Sequence, residues 1–478
     1  MRLPEKGKRD LRFNVGRYYS KNQRNYVWKY TNNKPDDIPY LLNVEVPELP
    51  LDKSIKVLQY QILGGGDTKP IFNSGLDFRT NLARNIEAVG TINPDFRNVT
   101  QGVQSLNFSY FERLSDDNRP FFAEGKDYFL TGYGSRIFAS QRVQNFEVGA
   151  KVFGKLSEKT QFGIMNLASI GDENTIVASV SNNPSSKSNF DAAVVNYRTK
   201  TRDNTAVFTN TGYKTGDYFF YVGNEFTMDK DKDLGHKFKF GANVNTRNSG
   251  TYFEVTRVEK DFTPRLGFQP DKDIFGANLG TYFSQQYSKG PVSQSSFSLE
   301  AERYYRLNGN RYRQSIGGSF DLDFHNSFSI EGGVEVSRFE QFDDSLVNIS
   351  VRAPRGNPNK SFGVGTSIGK QGGKSYRATS ANINYRFGSK IVTSLRYVYE
   401  DHFDKSTQII GNLNWDMGRN TSLTSRIVRR DEDYNIFFSY RKSGTLGTDY
   451  YLIVGDPNAR SFKSTVILKI VYPFDFKI

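Results

Sequence analysis

Apolar and polar residues alternate with a period of two along most of the chain, which places successive side chains on opposite faces of a β-strand. In the last segment, one parity carries Phe462, Val466, Leu468, Ile470, Tyr472, Phe474, Phe476 and Ile478. The other parity carries Lys463, Thr465, Lys469, Asp475 and Lys477. The pattern predicts a final strand that is apolar on one side as far as the end of the chain.

The same alternation recurs upstream in runs of about ten residues, the length that a tilted strand needs to cross a membrane. Examples are Phe238 to Val244, Phe328 to Val336, Ile409 to Trp415 and Tyr434 to Tyr440, each apolar at alternate positions. Short turn signals such as Asn308-Gly309 separate the runs, so neighbouring strands are predicted to be antiparallel. About 22 runs follow Ile137, and Ser74 to Leu82 and Asn85 to Ile92 add two, which predicts 22 to 24 strands.

The amino-acid composition indicates that the predicted sheet is a membrane barrel. Only 37% of the residues are hydrophobic and the mean hydropathy is -0.60, yet 14% are aromatic, with 28 Tyr and 39 Phe. A disordered chain has few aromatic residues, whereas an outer-membrane barrel combines a polar lumen with an apolar band rimmed by aromatic residues. The predicted fold is therefore all-β, a transmembrane antiparallel up-and-down β-barrel in the outer membrane of a Gram-negative-type bacterium.

Soluble β-sandwiches, propellers and β-helices also alternate. A propeller would show a repeat of roughly 40 to 50 residues, and a sandwich of this size would divide into domains. Neither is visible, and soluble strands seldom place Lys, Glu and Asn on one face over so many elements. The residues after Met1 lack the apolar stretch of an export signal, so a barrel with this sequence is expected to be a mature or truncated form.

The net charge of +13 comes from basic residues scattered singly along the chain. This scatter argues against a nucleic-acid partner. The expected partners are outer-membrane lipid and lipopolysaccharide, with carbohydrate and other outer-membrane proteins as further candidates. Basic residues in the lumen would favour anionic solutes, whereas basic residues at the rim would contact lipid phosphates.

Two regions depart from the alternation. Residues 1–55 look like the tail of another domain with a linker, which leaves residues 56–478 for the barrel. Residues 93–129 form a long non-strand stretch, which predicts an inward-folded plug or lumen segment. Its candidate site residues are Asn93, Pro94, Asp95, Phe96, Glu112, Arg119, Pro120, Phe121, Phe122, Glu124 and Asp127. Arg119 is expected to pair with Glu124 or Asp127, and Phe121, Phe122 and Phe129 are expected to pack together; the ion pairs either only hold the plug or gate the pore.

At these residues the chain resembles a family of outer-membrane barrels of unknown function that follow an N-terminal domain like a family-nine carbohydrate-binding module. The matching stretches are Asn93 to Phe96 with Leu106-Asn107 and Phe111-Glu112, Arg119 to Phe129, Lys151 to Asn166, and Phe262 to Phe268. The resemblance covers most of the chain from about residue 55. It implies that residues 7–30 are closing strands of the carbohydrate-binding-like domain. Thr100 and Gly102 stand where the family usually has acidic residues.

Other candidate chemistry is weak. Gly365 to Gly369 fits the G-x-S-x-G pattern, but it lies in a predicted strand instead of a strand-to-helix turn. The histidines His236, His325 and His402 lack metal-site spacing, and Asp229 to Gly235 departs from a calcium loop at its sixth position. With 0 Cys, thiolate chemistry is excluded. No cofactor and no metal site are predicted.

Three functions follow from these features. The first is passage or binding of a solute, a glycan fragment or an anionic compound, through a plugged lumen. The second is a non-conducting scaffold or surface-binding barrel in a larger outer-membrane complex. The third is a barrel-embedded hydrolase that acts on carbohydrate, although the sequence favours a protein that is not an enzyme.

Overall fold

The structure is a computed structural model. It describes residues 7–12, 15–19, 24–27, 40–46, 53–66, 70–96, 106, 108–114, 116–129, 136–143, 145–230, 232–354, 357, 360–444 and 447–477. These residues are almost entirely β-structure, with one short helix, α1 (Pro120–Ala123), and two 3-10 turns, Lys126–Tyr128 and Ser140–Arg142. Nowhere in these ranges is a helix long and apolar enough to cross a membrane.

Four short strands precede the barrel: β1 (Gly7–Arg12), β2 (Gly16–Tyr19), β3 (Arg24–Val27) and β4 (Tyr40–Val46). Strand β1 pairs with β4, and β2 pairs with β3, both antiparallel. They occupy the region assigned to the remnant of an N-terminal domain, and that assignment stays a prediction.

Within the described ranges, 24 further strands form one closed barrel. They are β5 (Ile55–Gly65), β6 (Pro70–Ala83), β7 (Ile86–Ile92), β8 (Val148–Lys155), β9 (Thr160–Ser169), β10 (Glu173–Ser185), β11 (Ser188–Thr199), β12 (Asp203–Thr215), β13 (Tyr218–Asp229), β14 (Gly235–Asn245), β15 (Ser249–Val258), β16 (Ile274–Gln286), β17 (Val292–Arg306), β18 (Arg311–Phe324), β19 (Ser329–Phe339), β20 (Phe342–Ala353), β21 (Lys360–Gln371), β22 (Lys374–Phe387), β23 (Ile391–Asp401), β24 (Lys405–Gly418), β25 (Thr421–Arg430), β26 (Asp433–Ser443), β27 (Asp449–Val454) and β28 (Val466–Phe476). Each strand pairs antiparallel with its neighbour in sequence, so the barrel is an up-and-down meander as predicted.

The ring closes where the last strand meets the first. Strand β28 pairs with β5 over its whole length, from Val466 opposite Gly65 to Phe476 opposite Ile55. Because each of the 24 described barrel strands then has two neighbours, the ring presents no open edge of unpaired backbone groups to lipid. The predicted closing role of the C-terminal strand is confirmed, although the strand begins at Val466 and Phe462 lies before it.

The two faces of the wall differ as the alternation predicts. Leu468 and its partner Leu63 are 43% and 51% exposed and point outward, whereas the next pair, Lys469 and Ile62, is buried on the inner side. Val334 in the middle of β19 is 57% exposed on the outer face. A closed antiparallel ring with an apolar exterior and a polar interior is the architecture of outer-membrane barrels. The protein is therefore an outer-membrane β-barrel of a Gram-negative-type bacterium.

The two ends of the barrel differ in the length of their loops. Ile55 and Phe476 pair at one end, which we call the terminal end. The links after odd-numbered strands lie at the opposite end, the loop end, and these include residues 259–273 and 455–465. Longer loops of such barrels face the cell exterior. We infer that the loop end is extracellular and the terminal end periplasmic.

Two details of the predicted strand count differ from the structure. Strand β5 was not counted as a run, and the run assigned to Ile137 is not a strand. Ile137 and Phe138 are instead buried beside the 3-10 turn at Ser140–Arg142. Both are apolar because they pack in the barrel interior. The alternation of apolar and polar residues alone does not distinguish such buried residues from those of a strand. The two errors compensate, and the total of 24 lies within the predicted range.

The assignment of the two faces of the wall can be tested by mutation. Val334→Arg puts a charge into lipid at the centre of β19 and should lower the free energy of unfolding in bilayers by about 2–4 kcal/mol. Glu335→Arg, the adjacent control, faces the lumen and should change it far less. The measurement is equilibrium folding into lipid vesicles. Equal losses for the two variants would contradict the assigned faces.

Candidate functional site

One stretch leaves the wall of the barrel between β7 and β8, and we call residues 93–147 the inner segment. Ile92, the last residue of β7, pairs directly with Val148, the first residue of β8. Both ends of the inner segment therefore lie side by side in the wall. The predicted segment, residues 93–129, is the first part of this longer stretch.

The chain turns away from the wall at Asn93. Its φ of 52° lies in the left-handed region, which Asn tolerates better than most residues. The side-chain amide of Asn93 donates to the carbonyl of Ser74 at 2.7 Å, and the carbonyl of Asn93 accepts from the hydroxyl of Tyr60 at 2.5 Å. Strands β5 and β6 thus hold the turn in place.

Asp95 ties the start of the inner segment to the closing strand. Its carboxylate lies 3.1 Å from Nζ of Lys469 on β28, and the two side chains are only 3% and 8% exposed. The ammonium group also lies 5.2 Å from the ring centre of Tyr60. A buried ion pair of this kind fixes register and position more than it adds net stability.

Arg119 is the best-connected side chain among the predicted site residues. Its guanidinium bonds both carboxylate oxygens of Asp117, with a shortest distance of 2.6 Å. It also donates to the carbonyls of Ser140 at 2.6 Å and Val143 at 2.8 Å. Arg119 thereby joins two parts of the inner segment that are far apart in sequence.

The prediction that Arg119 pairs with Glu124 or Asp127 is wrong. Its ion pair is with Asp117, and Glu124 instead bonds Arg79 on β6 at 2.7 Å, while Asp127 is exposed. The backbone N–H of Arg119 donates to Asp117 as well, so the two residues form a compact local loop. Burial alone would raise the pKa of Asp117, but hydrogen bonds and charge from Arg119 outweigh it and hold the pKa below its usual value.

Aromatic rings surround this arginine and extend to the wall. The guanidinium carbon lies 4.4 Å from the ring centre of Phe122 and 5.5 Å from that of Phe96. Phe121 and Phe122 meet edge to face at 5.4 Å, and Pro120 opens the short helix that presents them. The expected packing of Phe121, Phe122 and Phe129 in one buried cluster is confirmed, and the cluster includes wall residues of β7 to β12.

Polar contacts fasten the same part to the inner wall. Lys151 on β8 directs its ammonium group at the carbonyls of Phe121 and Glu124, the second at 2.5 Å. Ser179 on β10 donates to the carbonyl of Tyr128. Carbonyls that the short helix leaves unpaired are therefore satisfied by the wall.

Sequence reasoning missed the contacts on the opposite side of the barrel. Tyr110 stacks on Phe339 of β19 at 4.0 Å, and its hydroxyl donates to Asp344 of β20. The backbone N–H of Phe108 donates to Glu400 of β23 at 3.1 Å. The only sequence feature that pointed to these contacts was the group of aromatic residues at 108, 110 and 111, and it does not identify the residues that they contact. Burial, followed by the hydrogen bond to Asp344, raises the pKa of Tyr110 and keeps the hydroxyl a donor.

The inner segment thus contacts inward-facing residues on separate sides of the ring, among them Arg79 on β6, Asp344 on β20, Glu400 on β23 and Lys469 on β28. Only a chain that crosses the barrel interior can do so. The contacts with β19, β20 and β23 lie at the loop end, whereas Arg79 pairs with Lys56 close to the terminal end. On the side of β5 and β6 the inner segment therefore extends from the loop end toward the terminal end. A cavity of about 510 Å³ remains between it and the wall, lined by Asp77, Arg79, Pro94, Phe121 and Glu124 among others.

The remaining predicted positions contribute less. Glu112 forms a 2.5 Å ion pair with Arg142 within the inner segment, and both side chains are partly exposed. Thr100, Gly102 and Asn107 lie outside the described residues. The Gly365 to Gly369 motif lies inside β21, as expected for a wall strand. Asp229 bonds Arg265 at 2.7 Å. Among the residues described, no three His, Asp or Glu side chains are grouped so that they could hold a metal ion.

A family model for the domain of unknown function DUF5916 matches residues 57–168. The matched span runs from β5 to β9 and contains the whole inner segment. It agrees with the resemblance to barrels of unknown function, whereas the preceding carbohydrate-binding-like domain stays a prediction. No curated protein matches the chain.

Three solved structures align with most of this chain. The siderophore receptor PirA from Pseudomonas aeruginosa aligns over 89% of this chain and 81% of its own, at 7% identity and a TM-score of 0.47. OpdQ from the same species aligns over 88% and 97%, at 9% identity and a TM-score of 0.36. The translocation pore of the P pilus usher PapC aligns over 89% and 100%, at 9% identity and a TM-score of 0.32. At these values no function is transferred from them.

Arg119 is predicted to hold the inner segment together. Arg119→Met leaves Asp117 buried without its cation and should make opening of the segment easier by about 3–5 kcal/mol. Arg142→Met, the control, removes a partly exposed pair and should cost no more than about 1 kcal/mol. Native-state proteolysis of the segment in the folded barrel measures both values. Equal resistance to proteolysis in the two variants would show that Arg119 does not hold the segment together.

Proposed function

We propose that the protein passes or binds a solute through its lumen, and that the inner segment acts as a plug that controls access from the extracellular side. The observation that carries the proposal is the attachment of the inner segment to opposite sides of the inner wall by side-chain contacts, including the buried pair of Asp95 with Lys469. A scaffold that only presents loops would not require a folded segment across its interior.

The nature of the attachment supports a removable plug. The described residues of the inner segment add no strand to the wall, and their contacts to the ring are ion pairs, hydrogen bonds and side-chain packing. Such contacts can be exchanged for water or solute contacts while the backbone hydrogen bonds of the barrel stay intact. Large outer-membrane transporters of about 22 strands also have a plugged lumen. We propose outer-membrane lipid and lipopolysaccharide as the partners of the barrel exterior.

The structure allows a clean deletion. Because Ile92 pairs with Val148, residues 93–147 can be replaced by a short Gly-Asn-Gly turn that closes β7 and β8 as a hairpin. We expect single-channel conductance in planar bilayers to rise several-fold over the intact chain. Heat-modifiable electrophoretic mobility establishes that the shortened barrel has folded.

Two controls decide the interpretation. Arg119→Met should raise the frequency of open events, whereas Arg142→Met should leave it near that of the intact protein. A folded deletion variant that conducts no better than the intact chain would overturn the proposed control of access and favour the scaffold function.

A further inference from the structure

A second cavity lies at the terminal end of the lumen, and its described lining includes no residue of the inner segment. It has a volume of about 1340 Å³ and is lined by the inner face of β10 to β17 and by their hairpin turns. Sites for drug-sized ligands have roughly 300–1,000 Å³. This cavity therefore has room for an extended ligand of several units.

The lining is rich in amides and poor in charge. Five Asn and three Gln line the cavity, against three basic side chains and one Asp. Asn245 donates to Asn243 at 3.3 Å, and Gln294 donates to Ser284 at 3.1 Å, so part of each amide remains for a ligand. A primary amide offers both donors and acceptors. Such a lining matches uncharged hydroxyl groups, which also donate and accept, better than it matches an anion.

Aromatic rings lie flat against the wall in the same region. A Cβ on Gly250 would lie 2.3 Å from one ring atom of Tyr282 and 2.7 Å from another, so the ring covers this glycine on the neighbouring strand. Tyr252 covers Gly280 in the same way. Further such pairs are Phe219 over Gly212 and Tyr221 over Gly241.

The rings keep one face open to the lumen. The strand register places Tyr252 opposite Gly280 and Tyr282 opposite Gly250, on the inner face of β15 and β16. Tyr252 is 37% exposed and Tyr282 is 46% exposed. The hydroxyl of Tyr282 lies 3.4 Å from Asn245, and that of Tyr221 donates to Glu254 at 2.5 Å. Each ring is thus held in place while its outer face stays available.

We propose that this wall is a binding site for an uncharged oligosaccharide, which stacks the apolar faces of its sugar rings on Tyr282 and Tyr252 and bonds its hydroxyl groups to the amides. The proposal rests on the proposed passage of a solute and names its chemical class. Phe219 and Tyr282 line the cavity itself, and Tyr221 and Tyr252 continue the aromatic surface toward the middle of the barrel.

The test uses the full chain in detergent and isothermal titration with β-1,4-linked and α-1,4-linked glucose hexamers. At least one should bind, and Tyr282→Ala and Tyr252→Ala should each weaken it about ten-fold. Tyr282→Phe should keep most of the affinity because it preserves the ring. Phe283→Ala, on the lipid side of the same strand, is the matched control and should change nothing.

Other outcomes would overturn the site. If only a galacturonate hexamer binds, and Lys214→Gln abolishes that binding while Tyr282→Ala does not, the cavity is an anion patch. If no hexamer binds to the intact chain, the proposal fails. Conductance of the variant lacking residues 93–147 is measured separately, so a negative titration leaves the proposed control of access to be judged on its own.

Discussion

The hydrogen bonding of the backbone in lipid is the constraint on which this structure depends. A strand in a membrane must give every N–H and C=O a partner, and only a closed ring does this for all strands at once. The pairing of β28 with β5 completes the ring. The period-two pattern of the chain follows, because one side of each strand must then face hydrocarbon and the other must face water or protein.

In a ring of this size, opposite walls are too far apart to pack against each other. The inner segment packs against one part of the wall and forms the largest buried cluster there, while smaller buried clusters lie elsewhere along the wall. Its phenylalanines and the inward residues of β7 to β12 form a single buried cluster, and Arg119 lies within the aromatic part of it. The opposite wall is reached by fewer contacts, such as Tyr110 on Phe339. The terminal end of β10 to β17 keeps a polar space with aromatic residues in its lining.

The wall could be predicted from the sequence because alternation is a local property that survives wherever one side meets lipid. Strand β5 was not predicted because Gln59 and Gln61 lie on its outward face and interrupt the alternation of apolar and polar residues. The extent of the inner segment was underestimated, because Ile137 and Phe138 are apolar for packing reasons. The partner of Arg119 was not predictable, since several carboxylates lie at similar spacing and tertiary contacts select one. Contacts such as Tyr110 with Asp344, 234 residues apart, leave no local signal at all.

The pair of Asp95 and Lys469 has a consequence for the closure of the ring. Lys469 lies on β28, the strand that pairs with β5, while Asp95 lies at the start of the inner segment. Without the inner segment, Lys469 would lose its carboxylate partner at the place where the first and last barrel strands meet. The closure of the ring and the seating of the segment inside it are therefore energetically coupled.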